Sequence, residues 1–329
     1  VWFELLDGAG KAGVLAGRSR KAVLERAGFG SAHRQRPEGR FPAFFPRHLG
    51  FPRTALMDDG HFQSLLEFLG FSWSGYRKVR KGAKKRIVRH MQALGCREMS
   101  TYLARLAADA AVRSACEKCL TVPISRFFRD RRLWDTLQAQ LPQWVGARPP
   151  GASYRVWSAG CARGEEAYSF KILWTLLASQ ASGMSAALEL LGSDLNPDHL
   201  AAARRGVYAA ASLREMRPAE RAAGLTMLRG GRHWVVRPAI RQGILWRVHD
   251  LRAGPPGGPY DLIFLRNSIL TYLAQPGRSE AFAKVLGVLA PGGILVIGGH
   301  ERLPLARETL RPIAGYRQAF QAPVDGAIN

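Results

Sequence analysis

The chain has 329 residues, 47% of them apolar, and carries 48 Lys and Arg against 25 Asp and Glu, a formal net charge of +23 at neutral pH. That length suits one large domain or two ordinary ones, and the longest apolar run, GGILVIGG, falls far short of the ~20 residues that span a bilayer. The charge points to an acidic or polyanionic partner, or only to arginine-rich coding, and decides nothing about fold.

Residues 1–56 are rich in Gly, Arg and Pro and lack sustained periodicity, so they are expected to be a disordered tail or a mis-called start, with the native protein beginning near Met57. No charged-then-apolar leader pattern opens the chain, and a cytoplasmic location is expected. Residues 57–145 read as a helical domain. HFQSLLEFLGF gives one amphipathic helix. SGYRKVRKGAKKRIVRHMQALG gives a second, with Tyr76, Val79, Ile87, Met91 and Leu94 on its apolar face and Gly95 as its stop. STYLARLAADAAVRSACEKCL supplies one or two more, with Ser100 as N-cap, and RRLWDTLQAQLPQWV the last. The pair Cys116 and Cys119 lacks two further ligands at zinc spacing and reads as two small residues one helical turn apart.

Residues 146–153, GARPPGAS, form a linker, and from residue 154 strands alternate with helices. YRVWSAG, ALELLGSDLN, GILWRVHDL, YDLIFLRNS, ILVIGG and YRQAFQAP read as strands. GEEAYSFKILWTLLAS, PDHLAAARRGVY and SEAFAKVLGVLA read as helices, the last stopped by Pro291-Gly292-Gly293. Such alternation implies a parallel, doubly wound α/β sheet that binds its ligand beyond the carboxyl ends of the strands, where the strand order reverses.

The first strand–helix turn is therefore the expected site. It runs Gly160-Cys161-Ala162-Arg163-Gly164-Glu165-Glu166. This is neither the dinucleotide fingerprint nor a P-loop. Two carboxylates at a helix start suit the helix dipole but repel a pyrophosphate. A cationic, phosphate-free adenosyl ligand fits better, and S-adenosylmethionine has a sulfonium, an ammonium and a ribose diol. Asp194, at the end of GSDLN, is placed to take ribose hydroxyls. The plainer alternative, a helix cap, is better filled by Asn196 before Pro197.

Four segments, VWSAGCARGEEAYS, GSDLNPDHLAAARRGVY, YDLIFLRNSILTYL and LAPGGILVIGGHERL, together with LTVPISRFFRD in the helical region, resemble five successive blocks of the CheR-type chemotaxis receptor methyltransferases. The resemblance covers about residues 60–323. It implies a Rossmann-like class I methyltransferase fold with a small all-helical N-terminal domain. It also implies S-adenosylmethionine-dependent methylation of glutamate side chains. A glutamate is already ionised at neutral pH, so positioning and electrostatics would carry the catalysis.

By the same resemblance, Gly160 belongs to the cofactor turn and Glu166 contacts the methionine portion of the cofactor. Asp194 matches the ribose acid and Asn267 a cofactor-contacting asparagine. Asp250 and Leu251 fall where the family has an Asn-Leu pair beside adenine, and an acid there could accept from the adenine amino group. Ser125 keeps the hydroxyl of a family threonine. Arg129 matches an arginine near the methyl-transfer centre, whose planar fork suits a carboxylate, and Tyr272 a tyrosine that could hydrogen-bond it. Phe127 and Phe128 read as packing, and Glu165 as structural. Two departures bear on cofactor binding. Pro123 replaces an asparagine and loses one contact. Arg163 replaces a Thr or Ser and would weaken a cationic ligand's binding unless it turns outward.

The basic run Arg77, Lys78, Arg80, Lys81, Lys84, Lys85, Arg86 and Arg89 is similar to the family helix that faces the acidic methylation helices of receptors. A solvated face or nonspecific RNA affinity explains it equally well. The family's antiparallel insertion is expected as a short hairpin at about 229–246. A monomer without membrane insertion is expected, with no nucleic-acid partner. The second reading is a degenerate member that acts as a basic interaction module with weak or no cofactor binding.

Overall fold

The computed structural model describes residues 57–149, 151–180, 184, 186–304 and 310–324, so the expectation for residues 1–56 lies outside them. In the helical part, α1 (Asp59–Leu69) starts on Asp58, whose carboxylate accepts from His61 N at 2.7 Å, and ends on left-handed Gly70. The expected second helix is two: α2 (Trp73–Tyr76) and α3 (Arg80–Ala93). The break has a packing cause. Gly75 lies so close to Thr271 that a Cβ would fall 2.1 Å from its carbonyl oxygen, which docks α2 at its own angle. α4 (Met99–Ala108) has Glu98 at its N-cap, with Ser100 inside the first turn, which corrects the cap assignment. Asp109 then caps α5 (Ala110–Leu120) through Ala111 and Val112 N–H. α6 is Arg131–Gly146. Phe62, Leu65, Leu66, Tyr76, Ile87, Met91, Tyr102 and Cys116 fill the core of this part.

The α/β part follows as β1 (Tyr154–Ala159), α7 (Glu165–Gln180), β2 (Leu188–Asp194), α8 (Pro197–Arg205), β3 (Val207–Ala209), α9 (Pro218–Gly224), β4 (Leu225–Met227), β5 (His233–Val236) and α10 (Pro238–Arg241). It continues as β6 (Ile244–Val248), β7 (Tyr260–Leu265), α11 (Ile269–Tyr272), α12 (Gly277–Leu286), β8 (Leu289–Ile297), β9 (Arg311–Pro312) and β10 (Ala319–Gln321). Seven strands form one sheet in the order β6-β2-β1-β7-β8-β10-β9, and β10 runs antiparallel to both neighbours. β6, β2, β1, β7 and β8 are mutually parallel. Side chains alternate across the sheet as strand geometry requires. Val156, Leu262 and Phe264 pack on one face with α7, and Trp157, Ile263 and Leu265 on the other with α12.

Two boundaries differ from expectation. α12 ends at Leu286, and Pro291-Gly292-Gly293 lies inside β8. The antiparallel insertion is a three-stranded sheet, β3-β5-β4, spanning residues 207–236, whereas residues 244–246 belong to the edge strand β6. Its strands of three and four residues are too short to show a period of two.

The strand order reverses between β1 and β7, so the turns after these parallel strands flank the switch point. The helical part closes over that point. Ser72 N donates to Tyr272 O at 2.7 Å and Ala274 N to Gly70 O at 2.9 Å.

Candidate functional site

The carboxyl ends of β1, β2 and β7 open on a cleft in two connected parts. The larger is lined by Asp194, His199, His249, Asp250, Leu251, Asn267, Tyr272 and residues 120–122 among others. The smaller is lined by Ile124, Ser125, Arg126, Arg129, Glu166 and Arg266, and both share Val122, Gly160, Ala162 and Asn267. Every residue expected at the site therefore faces one part or the other.

The first turn is built by backbone. Gly160 N and Cys161 N both donate to Ser193 O, at 2.9 and 2.8 Å. Gly160 has φ 80°, and a Cβ there would press to 2.9 Å from Ser268 Cβ, so only glycine lets the β1 and β7 turns meet. Asp194 Oδ2 accepts from Ala162 N at 2.9 Å, and its Oδ1 from Asn196 N at 2.9 Å, with His199 Nδ1 3.1 Å away. Asn196, not Asp194, caps α8 by accepting from Asp198 N. Asp194 thus fixes the loop and presents a buried carboxylate to the larger part of the cleft.

Glu166 is held on both oxygens. Ser158 Oγ donates to Oε1 at 2.7 Å and Arg266 Nη1 to Oε2 at 2.9 Å. Each carboxylate oxygen keeps a second lone pair, so Glu166 can still take an ammonium. Arg266 is the residue that sequence reasoning missed. Its side chain is 3% exposed, and it also binds Asp130 and the Arg129 carbonyl, the latter at 3.1 Å. Burial works against its charge, but Glu166 and Asp130 more than offset that and hold it protonated. A charged residue directly after the apolar run Leu262–Leu265 of a wholly buried strand was the available signal.

Arg129 sits on a strained segment. Phe128 and Asp130, on either side, have φ 51° and 65°. The segment is pinned by Phe128 N on Ser169 Oγ at 2.9 Å, Asp130 N on Glu215 at 3.0 Å, and Trp134 Nε1 on Arg129 O at 2.9 Å. Phe127 and Phe128 are fully buried, as packing residues should be. Arg129 Nη1 reaches Ile124 O at 3.3 Å, and its other donors are unpaired among the described residues. Across the cleft, burial pushes Tyr272 above its ordinary pKa against the pull of Arg129, so the phenol stays a donor. Asn267 holds φ 52°, and its N–H donates to Glu301 Oε2 at 3.0 Å; Glu301 also binds Gly298 N and Thr271 Oγ1. Glu301, a second residue that sequence reasoning missed, ties the segment after β7 that carries Asn267 and Tyr272 to the turn after β8.

Two expectations change. Asp250 lines the cleft, but both its oxygens are taken by Arg252, at 2.7–3.0 Å, and Arg252 continues to Glu117 on α5. Burial alone would raise the Asp250 pKa, but the Arg252 hydrogen bonds and charge hold it below the usual range. Its carboxylate clasps α5 over the cleft and is not free for an adenine amino group. Arg163 is exposed and lines neither part of the cleft, and its carbonyl accepts from Tyr208 Oη at 2.6 Å. Pro123 is likewise exposed and outside the lining.

A family model described as "CheR methyltransferase, SAM binding domain" matches residues 124–318. The chain belongs to the CheR methyltransferase family. A "Chemotaxis protein methyltransferase" of Listeria innocua is 30% identical over 71% of this chain and 86% of its own length. A "Probable chemotaxis protein methyltransferase" of Rhizobium etli is 30% identical over 66% of this chain and 82% of its own. An "Uncharacterized 104.1 kDa protein in hypE 3'region" of Rhodobacter capsulatus is 28% identical over 74% of this chain, which spans only 25% of that relative. S-adenosylmethionine is the family's cofactor, and the cleft fits it. Carboxylates stand where a diol and an ammonium need acceptors, beside apolar Leu251 and Ile269. Two buried polar atoms in the wall of the larger part, Ser268 Oγ and His249 Nε2, have no partner within the protein. A cysteine-based site is not supported, because burial pushes the Cys116 thiol up to about 12.

Glu165 plays no part in the lining. It is 2% exposed, and its Oε2 has no partner. Burial raises its pKa from 4.5 to about 7, despite its own N–H, Arg163, His199 and Ser125. Between those values the folded state keeps a proton that the unfolded chain has released, so stability falls as pH rises through the window. Glu165→Gln should flatten that fall and raise stability at pH 8 by on the order of 2 kcal/mol, read by urea unfolding at pH 5 and pH 8. An unchanged slope would remove Glu165 as its source.

Proposed function

We propose that the protein transfers the methyl group of S-adenosylmethionine to glutamate carboxylates on the acidic methylation helices of a chemoreceptor or related signalling protein. The observation that carries this reading is the placement of Arg129 and Glu166 in one small recess, joined to a larger recess that holds Asp194, Leu251 and Tyr272.

The bound cofactor supplies an electrophilic methyl group on a sulfonium. The protein's own residues do the rest. Asp194, fixed by Ala162 N–H, takes the ribose diol, and Glu166, fixed by Ser158 and Arg266, takes the ammonium. Ser125 and Asn267 line the passage beside them. The substrate glutamate arrives ionised and needs no general base. Arg129 grips its carboxylate in a fixed fork, and Tyr272 can donate to the same group. The segment around Arg129 is rigid before substrate arrives, so little reorganisation is needed at the moment of transfer.

The exposed cations Lys81, Lys85 and Arg89 recur every fourth residue, which sets them in one row along α3, and exposed Arg77 precedes the helix. Arg80 and Lys84 are instead paired with Asp59, and Arg86 turns inward to the Cys119 and Thr121 carbonyls. The free row suits an acidic helix.

Calorimetric titration with S-adenosylhomocysteine tests the cofactor half. Binding is expected at Kd on the order of micromolar, with Arg163→Thr within about twofold of it because Arg163 is exposed and lines neither part of the cleft. No heat at millimolar ligand would leave only a basic interaction module.

A further inference from the structure

Isolated apolar residues on a protein surface need no explanation. Ile124 differs by position. It is 57% exposed, yet it lines the recess that holds Arg129, and its own carbonyl accepts from the Arg129 guanidinium at 3.3 Å. The other rim cation, Arg126, is committed to Glu215 at 2.8 Å. The other apolar residues of the recess, Val122, Cys161 and Ala162, are buried or half-buried, and the rest of the lining includes Ser125, Glu166, Arg266 and Asn267. The mouth therefore presents one available guanidinium with one exposed aliphatic residue directly beside it.

A carboxylate gripped by Arg129 brings its parent polypeptide against this rim. If that polypeptide is a helix, residues three and four away share the face of the glutamate and lie about one turn above or below it. Ile124, beside the guanidinium that grips the carboxylate, is placed to meet one of these. A charged or strongly hydrated side chain there would lose water against an aliphatic surface and gain no partner. An apolar one would bury both surfaces.

We infer that Ile124 selects among glutamates by packing against an apolar side chain one helical turn from the methylated position. This inference rests on the glutamate methyl-transfer reading above. It makes Ile124 a determinant of which glutamate on an acidic helix is modified, while Arg129 determines that a carboxylate is.

The test is a set of helical peptides, each with one central glutamate and with Leu, Ala, Ser or Lys at the positions three and four residues to either side. They are methylated with radiolabelled S-adenosylmethionine by the wild-type protein, Ile124→Ser and Ile124→Glu. Ile124 is exposed, and the carbonyl that holds Arg129 survives any substitution, so the variants should fold. The wild type should prefer the Leu peptide to the Ser and Lys peptides by about tenfold in kcat/KM. Ile124→Ser should shrink that ratio to within about twofold, and Ile124→Glu should turn it toward Lys. The same ratio in wild type and both variants would overturn the role of Ile124. Methylation of no peptide, despite S-adenosylhomocysteine binding, would overturn the glutamate reading itself and the inference with it.

Discussion

Arg129→Ala should lower methyl transfer by about a hundredfold or more, while the affinity for S-adenosylhomocysteine falls by less than about tenfold. Arg129 lines the recess at the expected transfer centre, but the carboxylates that anchor the cofactor, Asp194 and Glu166, are positioned by other groups. Removing the guanidinium deletes the fork that orients the substrate and leaves those anchors standing. Arg129→Lys should recover little, because a point charge on a flexible stem does not reproduce a planar, bidentate donor. The split between turnover and binding is the informative quantity. Equal losses in both would make Arg129 a cofactor ligand and nothing more.

Arg266→Met should cost about 3 kcal/mol of stability and lower the melting temperature by roughly 5–10 °C. The side chain is 3% exposed and neutralises Glu166, itself 13% exposed, so its removal leaves a nearly buried carboxylate without a counter-charge. Asp130, at 39%, is better solvated and should add less to the loss. Glu166→Gln in the Arg266→Met background should recover part of the stability, because it removes the orphaned charge. The same double change should weaken cofactor binding sharply, because the negative charge that offsets the methionine-end ammonium is gone. Calorimetric unfolding and titration of the wild type and these two variants measure both effects. If Arg266→Met melts with the wild type, the triad is not what holds this end of the cleft.

Which features were legible in the sequence follows from how local their causes are. The strand–turn–helix at Gly160, the acid at Asp194 and the asparagine at Asn267 each sit in short motifs at strand ends, so their place in the cleft could be read in advance. The two-faced sheet followed from apolar runs such as Leu262–Leu265. Arg266 was missed because its partners, Glu166 and Asp130, lie 100 and 136 residues away. Glu301 was missed for a related reason, since its acceptors' donors lie on two different turns. Asp250 was misassigned although its partner is two residues on: D-x-R at a turn was legible, but the reach of Arg252 to Glu117, 135 residues away, was not. The break between α2 and α3 depended on Thr271, far along the chain, while the helical period ran unbroken through it. Arg163 shows the converse. Its position was readable and its direction was not, and direction decides whether it harms a cationic ligand.

The most direct test is transfer of a radiolabelled methyl group from S-adenosylmethionine to the purified cytoplasmic fragment of a chemoreceptor, followed by mild base. A glutamate methyl ester hydrolyses and releases volatile methanol, whereas methylated nitrogen does not. The expected result is label on the receptor fragment, released by base and absent with Arg129→Ala. Cofactor binding without incorporation, or label that survives base, would contradict a glutamate methyltransferase.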